Sequence, residues 1–189
     1  MRTLLILTTT LLLTSPAFAE STQPAESTQR AETTQPREAS TPAPAPAGGA
    51  GVGKKAPALT LTGDGGASTS LTDHAGKVVV VAFWAPWDNT SRRLLATLQE
   101  LQDAHGDDLV VLAASVDDVR ARHKSPLYLD GKGYTVGRWY DSNQSQVKAW
   151  SGTNRPAYNA VVGKDGNVTF VSGSFEDEAA LTNAVKRAL

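Results

Sequence analysis

The chain has 189 residues with 18 basic and 19 acidic side chains, and its net charge of −1 gives no electrostatic basis for binding nucleic acid or an anionic membrane. It contains no cysteine. Disulfides, thiolate metal sites, iron–sulfur clusters and cysteine nucleophiles are therefore excluded.

Residues 1–19 have the three parts of a secretory signal peptide. Arg2 supplies a positive charge, a short apolar stretch follows, and Ala17-Phe18-Ala19 matches a cleavage site. The apolar stretch is shorter than the roughly 20 residues that a membrane-spanning helix needs, and no cysteine follows it to carry a lipid. We therefore expect an exported protein, periplasmic or secreted, with neither a membrane span nor a lipid anchor after cleavage.

Residues 20–50 form a low-complexity tail rich in proline, serine, threonine and alanine. Because it has almost no apolar side chains other than alanines, it cannot offset the entropy cost of ordering, and we expect it to be disordered. We interpret it as a spacer, as a site for Ser/Thr glycosylation, or as a solvated tail with no specific partner. The folded part then covers residues 51–189, a length typical of one domain.

The predicted elements of this domain begin with strands. Residues 58–62 and 68–71 are short strands around a glycine turn, and residues 78–83 form the β-branched run of a central strand buried on both faces. Residues 88–105 have the leucine spacing of a helix, and residues 109–114 are a second buried strand.

Capping signals predict the middle of the domain. Asp117 or Asp118 caps a short helix that runs to Lys124, and both aspartates are interpreted as caps or solvated loop charges. Ser125-Pro126 is typical of the start of the next helix, with the serine as its N-cap.

The last part of the domain is predicted to close a sheet. A strand at residues 134–140 precedes a helix at 142–150, strands at 158–162 and 167–171 form a hairpin, and a helix covers 175–188. Buried strands that alternate with helices, followed by a hairpin, indicate an α/β fold with a central mixed β-sheet flanked by helices.

Four motifs in this order resemble those of the thioredoxin-like superfamily, in particular the exported TlpA/ResA-type (redoxin) thiol–disulfide reductases. They are Gly-x-x-Ala-Pro at residues 53–57, Leu-x-x-x-x-Gly-Lys-Val-Val-Val-Val at 71–81, Phe-Trp-Ala-Pro-Trp at 83–87, and Pro156, which lies where the family has its cis-proline. The resemblance covers nearly the whole folded part and implies a thioredoxin-like fold.

The next four residues depart from the family pattern. The family has Cys-x-x-Cys there, whereas this chain has Asp88-Asn89-Thr90-Ser91. In the family, a thiolate at a helix N-terminus attacks a disulfide, and the second cysteine resolves the mixed disulfide. A carboxylate cannot form that bond, and a serine hydroxyl is a poor nucleophile without an adjacent base. The family's acidic or amide side chain below the thiols corresponds here to Ala82.

These departures support one functional hypothesis and leave two alternatives open. The hypothesis is an exported thioredoxin-fold protein that has lost thiol–disulfide chemistry and acts as a binding or scaffolding module. One alternative is a thiol–disulfide oxidoreductase, which only the family resemblance implies. The other is a non-thiol enzyme that uses Asp88, Ser91 or Arg93 in a closed pocket. We expect Asp88 to act chiefly as a helix cap.

The candidate binding groove combines two loops that converge in the family's fold. An extended peptide or protein segment near the proline loop is the expected partner. The predicted groove residues are Trp87, Asp88, Asn89, Thr90, Ser91, Arg155 and Pro156.

Neither a cofactor nor a metal ion is expected. The three histidines, His74, His105 and His123, are scattered, with no pair at i,i+4 and no carboxylate cluster beside them. A metal site needs such a convergence of ligands.

Overall fold

Three strands come first from Thr60 onward, helices and strands then alternate, and a hairpin and a last helix follow. The computed structural model describes residues 49–189, so the predicted signal peptide and the tail up to residue 48 lie outside the described residues. The strands are β1 Thr60–Gly63, β2 Ser68–Ser70, β3 Val78–Trp84, β4 Leu109–Ser115, β5 Trp139–Tyr140, β6 Tyr158–Val162 and β7 Val168–Ser172. The helices are α1 Asn89–His105, α2 Lys124–Lys132, α3 Ser145–Ser151 and α4 Glu178–Ala188.

The strands form one mixed sheet in the order β2-β1-β5-β4-β3-β6-β7. Strand β3 is parallel to β4 along its whole length and antiparallel to β6. The predicted α/β fold with a central mixed sheet flanked by helices is confirmed. Within residues 49–189, no helix is long and apolar enough to span a membrane.

Strand β3 is buried on both faces, as its β-branched run predicts. Its even-numbered side chains pack under α1, α2 and α4, with Leu94 and Leu98 among their contacts. Its odd-numbered side chains pack on the other face, where Val147 and Trp150 of α3 cover them. Each fully buried leucine or valine contributes about 1.5–3 kcal/mol to stability. The carboxyl end of β3 is therefore held from both sides.

The segment between β4 and α2 differs from the prediction. The predicted helix before Lys124 is a series of turns, in which the Asp118 carboxylate accepts hydrogen bonds from the backbone N–H groups of Arg120 and Ala121. Ser125 is not an N-cap but lies inside the first turn of α2. Its side chain is fully buried and bonds to residues at the end of β4, which competes with capping.

Strand β5 is much shorter than predicted because the chain bends at Gly137. This glycine has a φ of 85°, and its carbonyl oxygen accepts a 3.2 Å hydrogen bond from Trp84 Nε1. A Cβ at this position would lie 3.1–3.3 Å from atoms of Leu95, Leu129 and Trp84. The backbone therefore approaches the core here instead of running beside β4.

Helices α3 and α4 begin three residues later than predicted. Gln144, directly before α3, has a φ of 56°, which interrupts helical geometry. Asp177 caps α4 by accepting a 3.0 Å hydrogen bond from the Ala180 N–H. In both cases a residue that the pattern places inside the helix instead sets its boundary.

The conformation at Gly137 leads to a stability prediction. Gly137→Ala is expected to lower the free energy of unfolding by about 2 kcal/mol or more, because it combines a positive φ with crowding in the core. Gly131→Ala is the matched control: it lies in α2 with open space around a Cβ, and is expected to raise stability by up to about 1 kcal/mol. Urea unfolding measures both, and effects of the same sign would contradict the prediction.

Candidate functional site

The start of α1 is fixed by Asp88. Its carboxylate accepts a 2.6 Å hydrogen bond from the Ser91 N–H, so the predicted N-cap is confirmed. An aspartate at this position also interacts favourably with the positive end of the helix dipole. Asp88 is half-buried, whereas Asn89 is exposed and Thr90 is half-buried. The carboxylate at the first family cysteine position thus has a structural role.

Ser91, at the second cysteine position, is fully buried. It shares one helical face with Leu94, Leu95 and Leu98, which pack on the sheet. Among the described residues, its hydroxyl oxygen has no hydrogen-bond partner. Burying such a hydroxyl without a partner lowers the free energy of unfolding by about 1–3 kcal/mol. No base contacts the oxygen, so it is not an activated nucleophile.

The proline loop lies beside this segment, as the register of β3 and β6 requires. Phe83 pairs with Tyr158, and the Ala157 N–H donates a 2.7 Å hydrogen bond to the Phe83 carbonyl oxygen. Continuing this register brings Arg155 and Pro156 opposite the chain that leaves β3. Arg155 is exposed and Pro156 is half-buried. The isomer of the bond before Pro156 stays a prediction.

Trp87 is exposed over 63% of its surface, yet its indole N–H is fixed. Nε1 donates a 3.0 Å hydrogen bond to Oδ1 of Asp117, which is only 3% exposed. The other carboxylate oxygen lies 2.9 Å from the Ser125 hydroxyl, which lies 2.7 Å from the Ser115 hydroxyl. These four residues, Trp87, Ser115, Asp117 and Ser125, are called the Asp117 network below.

The Asp117 network corrects the sequence analysis, which interpreted Asp117 as a cap or a solvated loop charge. The carboxylate is instead buried, because it is the acceptor for two side chains from other elements. One signal could have found it. Asp117 and Trp87 follow two buried strands that one helix connects, and strands connected in this way are parallel and end at the same edge of a sheet.

An amide lies close to the position where the sequence analysis found only Ala82. Asn159 pairs directly with Ala82 and is fully buried on the same face of the sheet. Its Nδ2 donates a 3.2 Å hydrogen bond to the Ala157 carbonyl, and its Oδ1 has no partner among the described residues. A polar group therefore remains in the layer between the sheet and α1, although it comes from β6.

Arg92 and Arg93, the two residues after Ser91, pack against aromatic rings. The Arg92 guanidinium lies over the Tyr128 ring, and its Nε donates a 2.7 Å hydrogen bond to the Pro86 carbonyl. Arg93 lies 5.8 Å from the centroid of the Phe175 ring. Each exposed cation–π contact of this kind stabilises the folded state by about 0.5–1 kcal/mol.

The main concave pockets lie away from the predicted groove. Four pockets of about 390, 340, 430 and 270 Å³ occur on the described surface, and none of these four is lined by Asp88, Ser91 or Arg93. Within residues 49–189, no group of three or more histidines, aspartates or glutamates is placed to hold a metal ion. Trp87 itself is exposed over 63% of its surface.

Comparisons with known proteins concern the family and the fold of the chain. The family model described as Redoxin matches residues 51–186. The thioredoxin-like protein YneN of Bacillus subtilis (strain 168) is 29% identical over 93 residues, which are 43% of this chain, and the chain spans about half, 55%, of that relative.

Solved structures show the thioredoxin-like fold. A putative protein disulfide isomerase from Bacteroides thetaiotaomicron has a TM-score of 0.65 at 20% identity, covering 74% of this chain and 91% of the other. The pneumococcal exposed lipoprotein thioredoxin Etrx1 from Streptococcus pneumoniae strain TIGR4 has a TM-score of 0.57 at 22% identity, covering 69% of this chain and 98% of the other.

The unpartnered hydroxyl of Ser91 leads to a second stability prediction. Ser91→Ala is expected to raise the free energy of unfolding by about 1 kcal/mol, because it removes a buried polar atom without a partner. Ser125→Ala is the matched control, since that hydroxyl is equally buried but hydrogen-bonded, and its loss is expected to cost about 1–3 kcal/mol. Chemical denaturation decides, and a destabilised Ser91→Ala variant would show that the hydroxyl has a partner.

Proposed function

The chain belongs to the redoxin family, whose model matches residues 51–186, and we propose that it is an exported, redox-inactive member that binds an extended peptide or protein segment beside Trp87. The observation that carries the proposal is the exposed indole ring of Trp87, anchored by the buried Asp117 carboxylate. The anchor lies next to the emptied Cys-x-x-Cys position.

Thiol–disulfide exchange has no chemical basis in this sequence. The chain has no cysteine, so it offers no thiolate to attack a disulfide and no second thiol to resolve the intermediate. The Asp88 carboxylate is engaged as a cap and the Ser91 hydroxyl is buried. What remains is a family scaffold with a surface suited to contact.

A fixed, exposed tryptophan is well suited to binding. Tryptophan is enriched among the residues that contribute most to interface affinity, and a ring that is already ordered loses little conformational entropy when a partner binds. Because Asp117 occupies the indole N–H, the ring offers its faces rather than a donor. A proline, an aliphatic side chain or a cation of the partner would therefore contact it.

We propose that two further exposed side chains take part in this contact. Val119, two residues beyond Asp117 in the chain, is exposed over 78% of its surface and offers an apolar group. Arg155 on the proline loop is exposed and offers a positive charge. The family resemblance implies that this loop presents its backbone to an extended peptide. A segment that combines an apolar residue with an acidic one fits these features.

Export is supported by two observations and belongs to the same proposal. Residues 1–19 have the composition of a signal peptide. One structural neighbour, Etrx1, is described as an exposed lipoprotein thioredoxin. A cell-fractionation experiment, with mass spectrometry of the N-terminus, tests whether the chain leaves the cytoplasm and begins at Glu20.

Peptide binding tests the proposed surface. Extended peptides selected from a displayed library on the full chain are expected to lose affinity at least about tenfold, which is about 1.4 kcal/mol, in Trp87→Ala and in Arg155→Ala. Val52→Ala is the matched control, because Val52 is also an exposed apolar residue but precedes the domain's first strand. Peptides that bind Trp87→Ala and the wild type equally would contradict the proposal.

Insulin reduction tests the loss of redox chemistry. The wild-type protein is expected to show no turnover above background with dithiothreitol, because it has no thiol. Restoring both family cysteines, with Asp88→Cys and Ser91→Cys together, is expected to give measurable reductase activity, since the loop keeps its place at the N-terminus of α1. Turnover by the wild-type protein would contradict the account.

A further inference from the structure

We infer that the chain has a second binding site, for a small amphipathic anion, at the opposite end of β3 from Trp87. A pocket of about 390 Å³ opens there between three stretches of chain, at residues 55–60, 70–77 and 162–166. It is called the Lys77 pocket below. Its size lies within the range of small-molecule sites, about 300–1,000 Å³. The site is independent of the proposed function at Trp87.

The floor of the Lys77 pocket is apolar and belongs to the rigid part of the fold. Val79 and Val162 lie directly opposite each other in β3 and β6 and are almost fully buried. Pro57 and Leu59 of the segment before β1 complete the floor, and both are buried. The apolar surface that a ligand would cover belongs to Leu71, which is half-buried, and to Ala58 and Ala75, which are exposed. A hydrocarbon chain or ring that covers them would remove apolar surface from water, which favours binding.

The rim of the pocket carries an excess of positive charge. Its lining includes Lys55, Lys77 and Lys164, together with His74, against the single carboxylate of Asp165. Within residues 49–189, Lys77 is exposed and has no ion-pair partner. A ligand with one negative group would therefore find a cation beside the apolar floor.

Lys55 and Asp165, also at the rim, bond to other groups and leave the Lys77 ammonium group available to a ligand. Lys55 Nζ donates a hydrogen bond to the Asp165 backbone carbonyl, not to its carboxylate. The Asp165 carboxylate accepts hydrogen bonds of 2.9 and 2.7 Å from the Asn167 N–H and Nδ2, which lower the pKa of Asp165. Its charge is thus held within the β6–β7 turn.

A further carboxylate, Asp73, lies in the turn that leads to Lys77 and is also engaged locally. Its Oδ2 accepts a 2.8 Å hydrogen bond from the Ser70 N–H, at the start of the turn that leads to Lys77. An apolar floor with a cationic rim selects an apolar ligand that bears one carboxylate or sulfonate. A neutral apolar molecule would leave Lys77 without a partner, and a highly charged anion would gain nothing from the floor.

Fluorescence titration with 1-anilinonaphthalene-8-sulfonate tests the site on the full chain. The probe combines apolar rings with one sulfonate, and it is expected to bind saturably with one site per chain. Decanoate is expected to displace it, whereas decanol, with the same chain length and no charge, is expected to displace it at least about tenfold more weakly.

Charge variants assign the binding to this pocket. Lys77→Gln combined with Lys164→Gln is expected to weaken probe binding at least about tenfold, and Lys132→Gln, an exposed lysine on α2 outside the pocket, is expected to have no effect. Thermal unfolding without ligand checks that the double variant is folded. Absence of saturable binding, equal displacement by decanol, or equal probe affinity in the double variant would each overturn the inference.

Discussion

The parallel pairing of β3 with β4 is the constraint on which the site depends. Trp84 pairs with Ser115 at the end of both strands, and the Val116 N–H continues the ladder with a 2.9 Å hydrogen bond to the Trp84 carbonyl. Because both strands are packed into the core, they cannot shift in register without exposing apolar side chains. Trp87 and Asp117 follow these strand ends within three residues, so their hydrogen bond is a consequence of the register.

The two positions at which the family pattern has cysteines affect stability in opposite directions. Asp88 gains an N-cap interaction of about 1 kcal/mol, whereas the buried Ser91 hydroxyl costs about 1–3 kcal/mol. A domain with a typical stability of about 5–15 kcal/mol tolerates this difference. The sheet and α1 therefore keep the arrangement of the fold although neither position carries a cysteine.

Local pattern predicted most of the fold, and tertiary contacts account for what it missed. The β-branched run of β3, the leucine spacing of α1 and the Asp88 cap all depend on residues close in sequence. The burial of Asp117 depends instead on Trp87, which lies 30 residues earlier. Asn159 comes beside Ala82 only through the antiparallel pairing of β6 with β3. The family resemblance predicted the groove residues but could not predict the carboxylate that anchors Trp87.

The central claim is that Asp117 holds the exposed Trp87 ring rigid beside the emptied redox site. The most direct test is the ¹⁵N–¹H heteronuclear NOE of the tryptophan indole groups, which reports motion on the picosecond-to-nanosecond timescale. The Trp87 indole is expected to be as rigid as the fully buried Trp84 and Trp150, and to become mobile in Asp117→Ala. A Trp87 indole that moves like a free surface side chain in the wild-type protein would contradict the account.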